Sequence, residues 1–582
     1  MKKKYAALIL GIMLGIAVTG CSDNTEAGKQ TVQAEEDKQE ESITGEVIST
    51  DKESITVRLT DPESAGEKDD SSQEQTAAIT ENTQIVRSQG PGKMDEQEAP
   101  EKPEGDESSD DAGERPEDGE VPGEPPAGEM REEDITWKDI KEGDTVAITL
   151  DTDGNAVKIT VRSDDLGQRM GQEMNSSSTG SITLAGVYTV DGDVASSEDQ
   201  SYSSEDANEN TVLVKNGGSL TMSGAKLSKT GDTTSDDESN FYAVNAVVAA
   251  TADSTITVSD TEIISDAEGA NAVFATGSNA VVRADHITIH TMADSSRGLD
   301  ATYGGTVTAE NIDITTEGAH SAGLATDRGE GTIKAVNGTI STSGEGSPCI
   351  YSTGDISAEN ITGKAAGAQT MVIEGKNSIT ITGCDLSGAG ENGVMLYQST
   401  SGDAAEGTGV LTVKDSSLTT SSDGPMFYVT NTEAQVDLNN VSLNYSSGVL
   451  INVSGNETNN WGTPGNNGGD LTFRAANQIL NGSVLCDGIS TVSMKLSDNT
   501  RFAGSIDADN TGNVQISMDA GSTWNVAGDS YVSVITDDNT SLSNIESNGH
   551  TIYYDASEEG NAWLSGSTIE LSGGGSLTPA AE

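Results

Sequence analysis

Residues 306–331 read TVTAENIDITTEGAHSAGLATDRGEG, and residues 332–354 read TIKAVNGTISTSGEGSPCIYSTG. The two stretches share one plan. Each opens on an alternating strand, Thr306-Val-Thr-Ala or Thr332-Ile-Lys-Ala, meets a polar turn, and continues into a second short strand, Ile312-Asp-Ile or Thr339-Ile. A Gly-bearing turn and a third strand follow, Gly323-Leu-Ala-Thr or Cys349-Ile-Tyr-Ser-Thr. Three short strands per period is the pattern of a right-handed parallel β-helix.

The plan extends in both directions. Strand starts recur at Thr255, Ala280, Asp355, Ser378, Val410, Gln435, Asp470 and Thr491, mostly about 21 to 26 residues apart. A single coil buries only two or three small apolar residues and cannot hold itself together. Coils stacked at about 4.8 Å share backbone hydrogen bonds and one continuous core. A β-sandwich would need a hairpin turn every ~8–12 residues, and a leucine-rich repeat would need its Leu and Asn framework. The expected fold is therefore all-β: a parallel β-helix of about ten to twelve coils over residues 180–523, a rod of roughly 50–60 Å. Residues 228–242, 399–408 and 455–469 read as loops leaving its faces. The bulky Trp524, Tyr531, Tyr553, Tyr554 and Trp563 suit C-terminal coils and a cap over 524–577, before a tail at 578–582.

Composition sets the address and the excluded partners. The 582 residues carry 31 Lys plus Arg against 95 Asp plus Glu, a formal net charge of −64 that repels phosphate backbones and argues against nucleic acid. Lys2, Lys3 and Lys4 precede an apolar run from Ala6 to Val18, as in a secretory signal peptide. Val18-Thr19-Gly20-Cys21 resembles a bacterial lipobox. That resemblance implies lipidation of Cys21, removal of residues 1–20, and a membrane partner reached through the lipid. The protein would then sit on the outer face of the cytoplasmic membrane and be displayed at the cell surface, or on the outer membrane of a diderm host. Cys349, Cys384 and Cys486 cannot all pair, and none has metal-ligand spacing, so buried thiols are expected.

Residues 21–42 are polar and aperiodic, and read as a disordered acidic stalk after the lipidated cysteine. Ile43–Val47, Ile55–Leu59, Ala78–Val86, Thr145–Leu150 and Ala156–Val161 alternate as strands, enough for a small β-barrel module over 43–163. Residues 88–134 interrupt it with seven of the chain's 12 prolines and 18 acidic residues, which reads as a disordered loop. Residues 164–179 form a linker. The module resembles small β-barrels common in exported bacterial proteins, a likeness too generic to carry a function.

Aligning the third strands on Thr276, Thr302, Thr326 and Thr353 places Arg297, Tyr303, His320, Arg328, Tyr351, Lys376 and Tyr397 on one long side of the rod, beside Asp300, Asp327 and Glu374. The tyrosines offer apolar platforms for sugar faces, and the cations offer contacts for carboxylates or hydroxyls. Asp300, Asp327 and Glu374 are the candidates for acid–base work or for Ca²⁺, the one cofactor the residues suggest. The alternative is plainer: charges on adjacent coils pair with each other, Asp300 with Arg328 and Glu374 with Lys376 or Arg328, as ladder salt bridges. No nucleophile elbow, Walker loop or dinucleotide fingerprint suggests another chemistry.

Over about residues 180–577 the chain resembles adhesin-like β-helix surface lipoproteins of bacteria, with a pectin-lyase-like fold. The segments that carry the likeness are Asp294–Gly305, Gly318–Gly329, Ser347–Gly354, Gly393–Gln398 and Asn548–Asp555. The resemblance implies surface display and binding of extracellular polysaccharide or of a host or cell-surface component, with no established catalytic residue. A more distant likeness, to carbohydrate-binding β-helix lipoproteins and pectate lyases, is one of fold. The favoured expectation is a non-enzymatic adhesin. The alternatives are a polysaccharide lyase or glycoside hydrolase, and a structural envelope protein that binds nothing.

Overall fold

The computed structural model describes residues 41–50, 52, 54–59, 74–89, 131–140, 145–150, 155–162, 182–458 and 460–580. Cys21, the signal segment 1–20, almost all of the stalk, residues 90–130 of the acidic insertion and the 164–179 linker lie outside the described residues. Two compact units divide the chain, Met1–Ser177 and Ser178–Glu582.

In the first unit, six strands form one sheet: Glu41–Thr50, Ser54–Leu59, Glu74–Gln89, Arg131–Asp134, Thr145–Leu150 and Asn155–Arg162. Ser54–Leu59 pairs with both the strand before it and the strand after it. The third and sixth strands run parallel, and the other pairings are antiparallel. Alternating Val47, Ile55, Val57, Val146, Ile148 and Ile159 make its separate core. Both ends of the acidic insertion belong to the sheet, because Ser88 and Gln89 pair with Glu132 and Arg131.

The second unit is a parallel β-solenoid of about 16 turns. In each regular turn the first two expected strands merge into one 11-residue element, as in Thr255–Ser265, Val281–Thr291, Thr306–Thr316, Thr332–Thr342 and Asp355–Ala365. The polar turn between them is a single left-handed residue: Asp260 (φ 50°), His286 (51°), Asn311 (54°), Asn337 (60°) and Asn360 (54°). Short polar side chains tolerate this conformation, and here they also bond from turn to turn. Asn311 Nδ2 donates to Asp285 Oδ1 at 2.9 Å, and Asn360 Nδ2 to Asn337 Oδ1 at 3.2 Å.

In-register pairing stacks like on like. Ile256, Val282, Val307, Ile333, Ile356, Ile379, Leu411, Val436, Phe473, Met494, Ile516 and Ile535 succeed one another in one buried column. The count exceeds the expected ten to twelve coils because the stacking continues through the aromatic-rich C-terminal segment. Trp524 and Phe502 enter the interior as stacked rings 5.9 Å apart, and the Trp524 indole donates to the Gly504 carbonyl at 3.0 Å. Ser576–Pro579 pairs in parallel with Thr551–Tyr554, so a strand reaches into the expected tail.

Three register details differ from the sequence alignment, the first being that Thr255 and Thr306 pair with Val281 and not Ala280, a one-residue shift at that strand start. Gln435 pairs with Thr472 and not Asp470, a two-residue shift that leaves every side chain on its own face. Thr326 pairs with Ala301 and not Thr302, a one-residue shift that takes it out of the outward threonine column. Residues 228–242 are not a plain loop. Asp236–Tyr242 is a short helix, because Ser235 caps the Glu238 N–H, Asp236, Asp237 and Glu238 fill the first turn, and Ala243 ends it in the left-handed region.

Truncating Phe473 tests the stacked core. Phe473→Ala should cost about 3–5 kcal/mol through the cavity it leaves, read as a lower denaturant midpoint in urea unfolding.

Candidate functional site

One outward column of the 12-stranded sheet positions the site. Leu213, Ala249, Phe274, Asp300, Ala325, Tyr351, Val372, Met395 and Tyr428 lie in register on successive turns. An outward column in a solenoid usually meets water, yet most of this one is covered. Over the first turns, Ala243 and Ala246 pack on Leu213, Ala249 and Phe274 as a second small core. Farther along, the insertions at 399–408 and 455–469 fold back and bond to each other, Thr400 N donating to the Asn460 carbonyl at 2.7 Å.

Between these covers lies a cleft of about 480 Å³. Val372, Met395, Ala322 and Pro348 form its apolar lining with the rings of Tyr351, Tyr397, Phe241 and Trp461. Tyr397 and Trp461 are 4.8 Å apart and tilted by 49°. Polar groups come from Arg297, Asp327, Asp403, His320, Asn240, Ser295 and Gln369.

Beneath the cleft the charges pair closely. Arg297 Nη1 reaches Asp300 Oδ2 at 3.2 Å and its Nη2 reaches Asp327 Oδ2 at 2.8 Å, with all three side chains almost wholly buried. Asp300 Oδ1 is buried with no hydrogen-bond partner among the described residues. Burial pushes the Asp300 carboxyl up to about 7 and Asp327 to about 6, with Arg297 opposing both shifts. For Arg297 burial works against the charge, and the two carboxylates more than offset it.

A second network sits beside it. Arg328 donates from Nε to Asp403 Oδ1 at 3.0 Å and from Nη2 to the same oxygen, while its guanidinium lies 4.1 Å over the Phe241 ring. Glu374 is buried and accepts hydroxyl bonds from Tyr351 at 2.6 Å, Tyr397 at 2.8 Å, and Ser399. Burial holds both phenols well above the usual tyrosine range, so they remain donors.

The expected residues thus divide. Arg297, His320, Asp327, Tyr351 and Tyr397 line the cleft. Asp300 and Glu374 anchor its wall from within. Tyr303 does not stand in the cleft as a platform, because Tyr242 stacks on it at 5.4 Å and accepts its hydroxyl at 3.1 Å. Lys376 pairs with Glu330 at 3.1 Å. The expected ladder pairs are replaced: Asp300 takes Arg297, Arg328 takes Asp403, and Glu374 takes hydroxyls. Asn240, Phe241, Asp403 and Trp461 were not among the expected site residues. Their sequence signal was the insertions themselves, whose direction depends on contacts made after folding.

Among the described residues, no three His, Cys, Asp or Glu side chains are arranged to hold a metal ion. The described cysteines Cys349, Cys384 and Cys486 are buried free thiols. No described helix is long and apolar enough to cross a membrane. Comparison with family models, curated proteins and solved structures finds no match to this chain.

Two outcomes follow from the buried charges. Arg297→Ala leaves two buried carboxylates without their cation and should destabilise the protein by about 3–5 kcal/mol in chemical denaturation. The raised Asp300 pKa means the folded state holds an extra proton between about pH 4 and about pH 7. Stability from this group is therefore full below pH 4 and falls as pH rises through 7. Relative to Asp300→Asn, the wild type should lose thermal stability between pH 4.5 and pH 7.5, each displaced pKa unit being worth about 1.4 kcal/mol. A difference that stays flat across that range would contradict the assignment.

Proposed function

We propose that the protein is a lipid-anchored, surface-displayed adhesin-like β-helix, right-handed and pectin-lyase-like, that binds an extracellular glycan in the cleft between residues 240–241 and the 399–408 and 455–469 insertions. The observation that carries this reading is the pairing of aromatic and polar walls. Trp461, Tyr397 and Tyr351 offer ring surface for the C–H faces of a sugar, while Asp403, Asn240, Gln369 and His320 supply hydrogen-bond partners at the rim. Lipidation at Cys21 and display from a stalk would hold the cleft outward from the cell surface. A small β-barrel is our reading of the six-stranded unit, supported by the pairing of its second strand with both its first and its third.

Catalysis is the second reading. Asp327 lines the cleft with its carboxyl pushed up to about 6, where it can act as a general acid near neutral pH in a glycoside hydrolase or lyase. A Ca²⁺ ion would be held jointly by the Asp327 carboxylate and ligand hydroxyls rather than in a preformed protein cage.

A glycan array with the purified protein, run with Ca²⁺ and with chelator and assayed for new reducing ends, tests these readings. Specific binding should fall about tenfold or more in Tyr397→Ala and Trp461→Ala, a loss of about 1.4 kcal/mol or more. Product release abolished in Asp327→Asn would move the assignment to an enzyme. Silence across the array would remove the glycan reading.

A further inference from the structure

Among the described residues, each Arg and Lys near the cleft already has an anionic partner. Arg297 is shared by Asp300 and Asp327, Arg328 is held by Asp403, and Lys376 is held by Glu330. Around the cleft four carboxyl groups, those of Asp300, Asp327, Glu374 and Asp403, stand against the two guanidinium groups of Arg297 and Arg328. With Asp300 protonated the balance is still negative. A carboxylate entering here would find no unpaired Arg or Lys among the described residues and would lie against like charge in a half-enclosed space.

The unused polar atoms point to the same conclusion. Both described Arg328 bonds go to Asp403 Oδ1, and Asp403 Oδ2 accepts none of the described hydrogen bonds. Asn240, which also lines the cleft, has a buried Oδ1 without a hydrogen-bond partner among the described residues. Both oxygens are acceptors. Asp403, whose side chain is partly exposed, is the one a ligand reaches directly, and an O–H or N–H donor matches it where a carboxylate cannot.

Resting on the glycan-binding reading above, we infer that the cleft selects its ligand by charge: it takes saccharides that present hydroxyl or amino groups and excludes uronates. A pectin-type substrate, which the fold class alone would suggest, is therefore disfavoured by the side chains of this chain. Asp403 is the specificity-determining residue, because it both neutralises Arg328 and offers the acceptor that a sugar hydroxyl or ammonium would use.

The test uses the full-length protein and a panel of cello-, galacto-, manno- and chito-oligosaccharides together with the C6-carboxyl counterparts of the first three. The tightest ligand should be neutral or amino-bearing, and the tightest neutral member of the first three series should bind at least about tenfold more strongly than its uronate counterpart by calorimetry. That gap should narrow when salt is raised from about 0.05 to 0.5 M, as screening weakens the repulsion. Asp403→Ala, which frees Arg328, should raise uronate affinity, and Asp403→Asn should do so while keeping a hydrogen-bonding side chain in place. Thermal melts establish that both variants are folded. A uronate that binds as tightly as its neutral counterpart, or Asp403 variants that leave the ratio unchanged, would overturn the charge selection and leave the glycan reading standing. Failure of every saccharide in the panel would remove both.

Discussion

Parallel, in-register backbone pairing between successive turns is the interaction on which the rest of this molecule depends. It fixes the vertical neighbour of each residue, so any side-chain property repeated at one position becomes a column. The inward columns become a continuous apolar core that no single turn could support. At the corners, Asn311, Asn337 and Asn360 sit in the left-handed region with φ between 54° and 60°, and carboxamide or carboxylate oxygens on neighbouring turns accept from Asn311 and Asn360. The pairing also explains how the chain can be poor in large apolar residues, at 33% hydrophobic and 4% aromatic, and still bury a long core. Small residues stack efficiently when the backbone supplies the order.

The same constraint makes the outer column useful. A solenoid face is flat and repetitive, which is a poor starting point for a concave site. Concavity comes from departures from the repeat: the Ser235-capped helix at one end and two insertions at the other, all over the column that carries Asp300, Tyr351 and Met395. Ala325 is a small member of that column, between Asp300 and Tyr351. The buried Arg297 bonds both Asp300 and Asp327, tying two successive turns together beneath the cleft. Such a triad adds little net stability over an apolar alternative, but it is costly to break, which makes the local geometry rigid.

Much of this architecture was legible from the repeat alone. The strand alternation in Thr306–Thr316 specifies which side chains face inward, and the period specifies stacking, because both are consequences of backbone geometry with little dependence on distant residues. The candidate site was legible only as a neighbourhood. Arg297, Asp327, Tyr351 and Tyr397 do converge on one cleft, but a one-residue slip at Thr326 was enough to misplace partners. The sequence spacing around Thr302 and Thr326 accommodates either register. The Tyr303 ring, expected beside the other tyrosines, was claimed by Tyr242 from a helix inserted 61 residues earlier.

Short-range periodicity therefore carried the fold class and most of the inward and outward faces, since each turn needs only its own pattern and that of its neighbours. Long-range contact decided the pairing of Arg328 with Asp403, 75 residues apart, the seating of Trp461 against Tyr397, and the convergence of Tyr351, Tyr397 and Ser399 on Glu374. The physical reason is the difference between a ladder and a loop. Backbone hydrogen bonding propagates register one turn at a time, whereas an insertion has no ladder to follow, and its direction is chosen by whichever charges and rings it meets once the solenoid has formed.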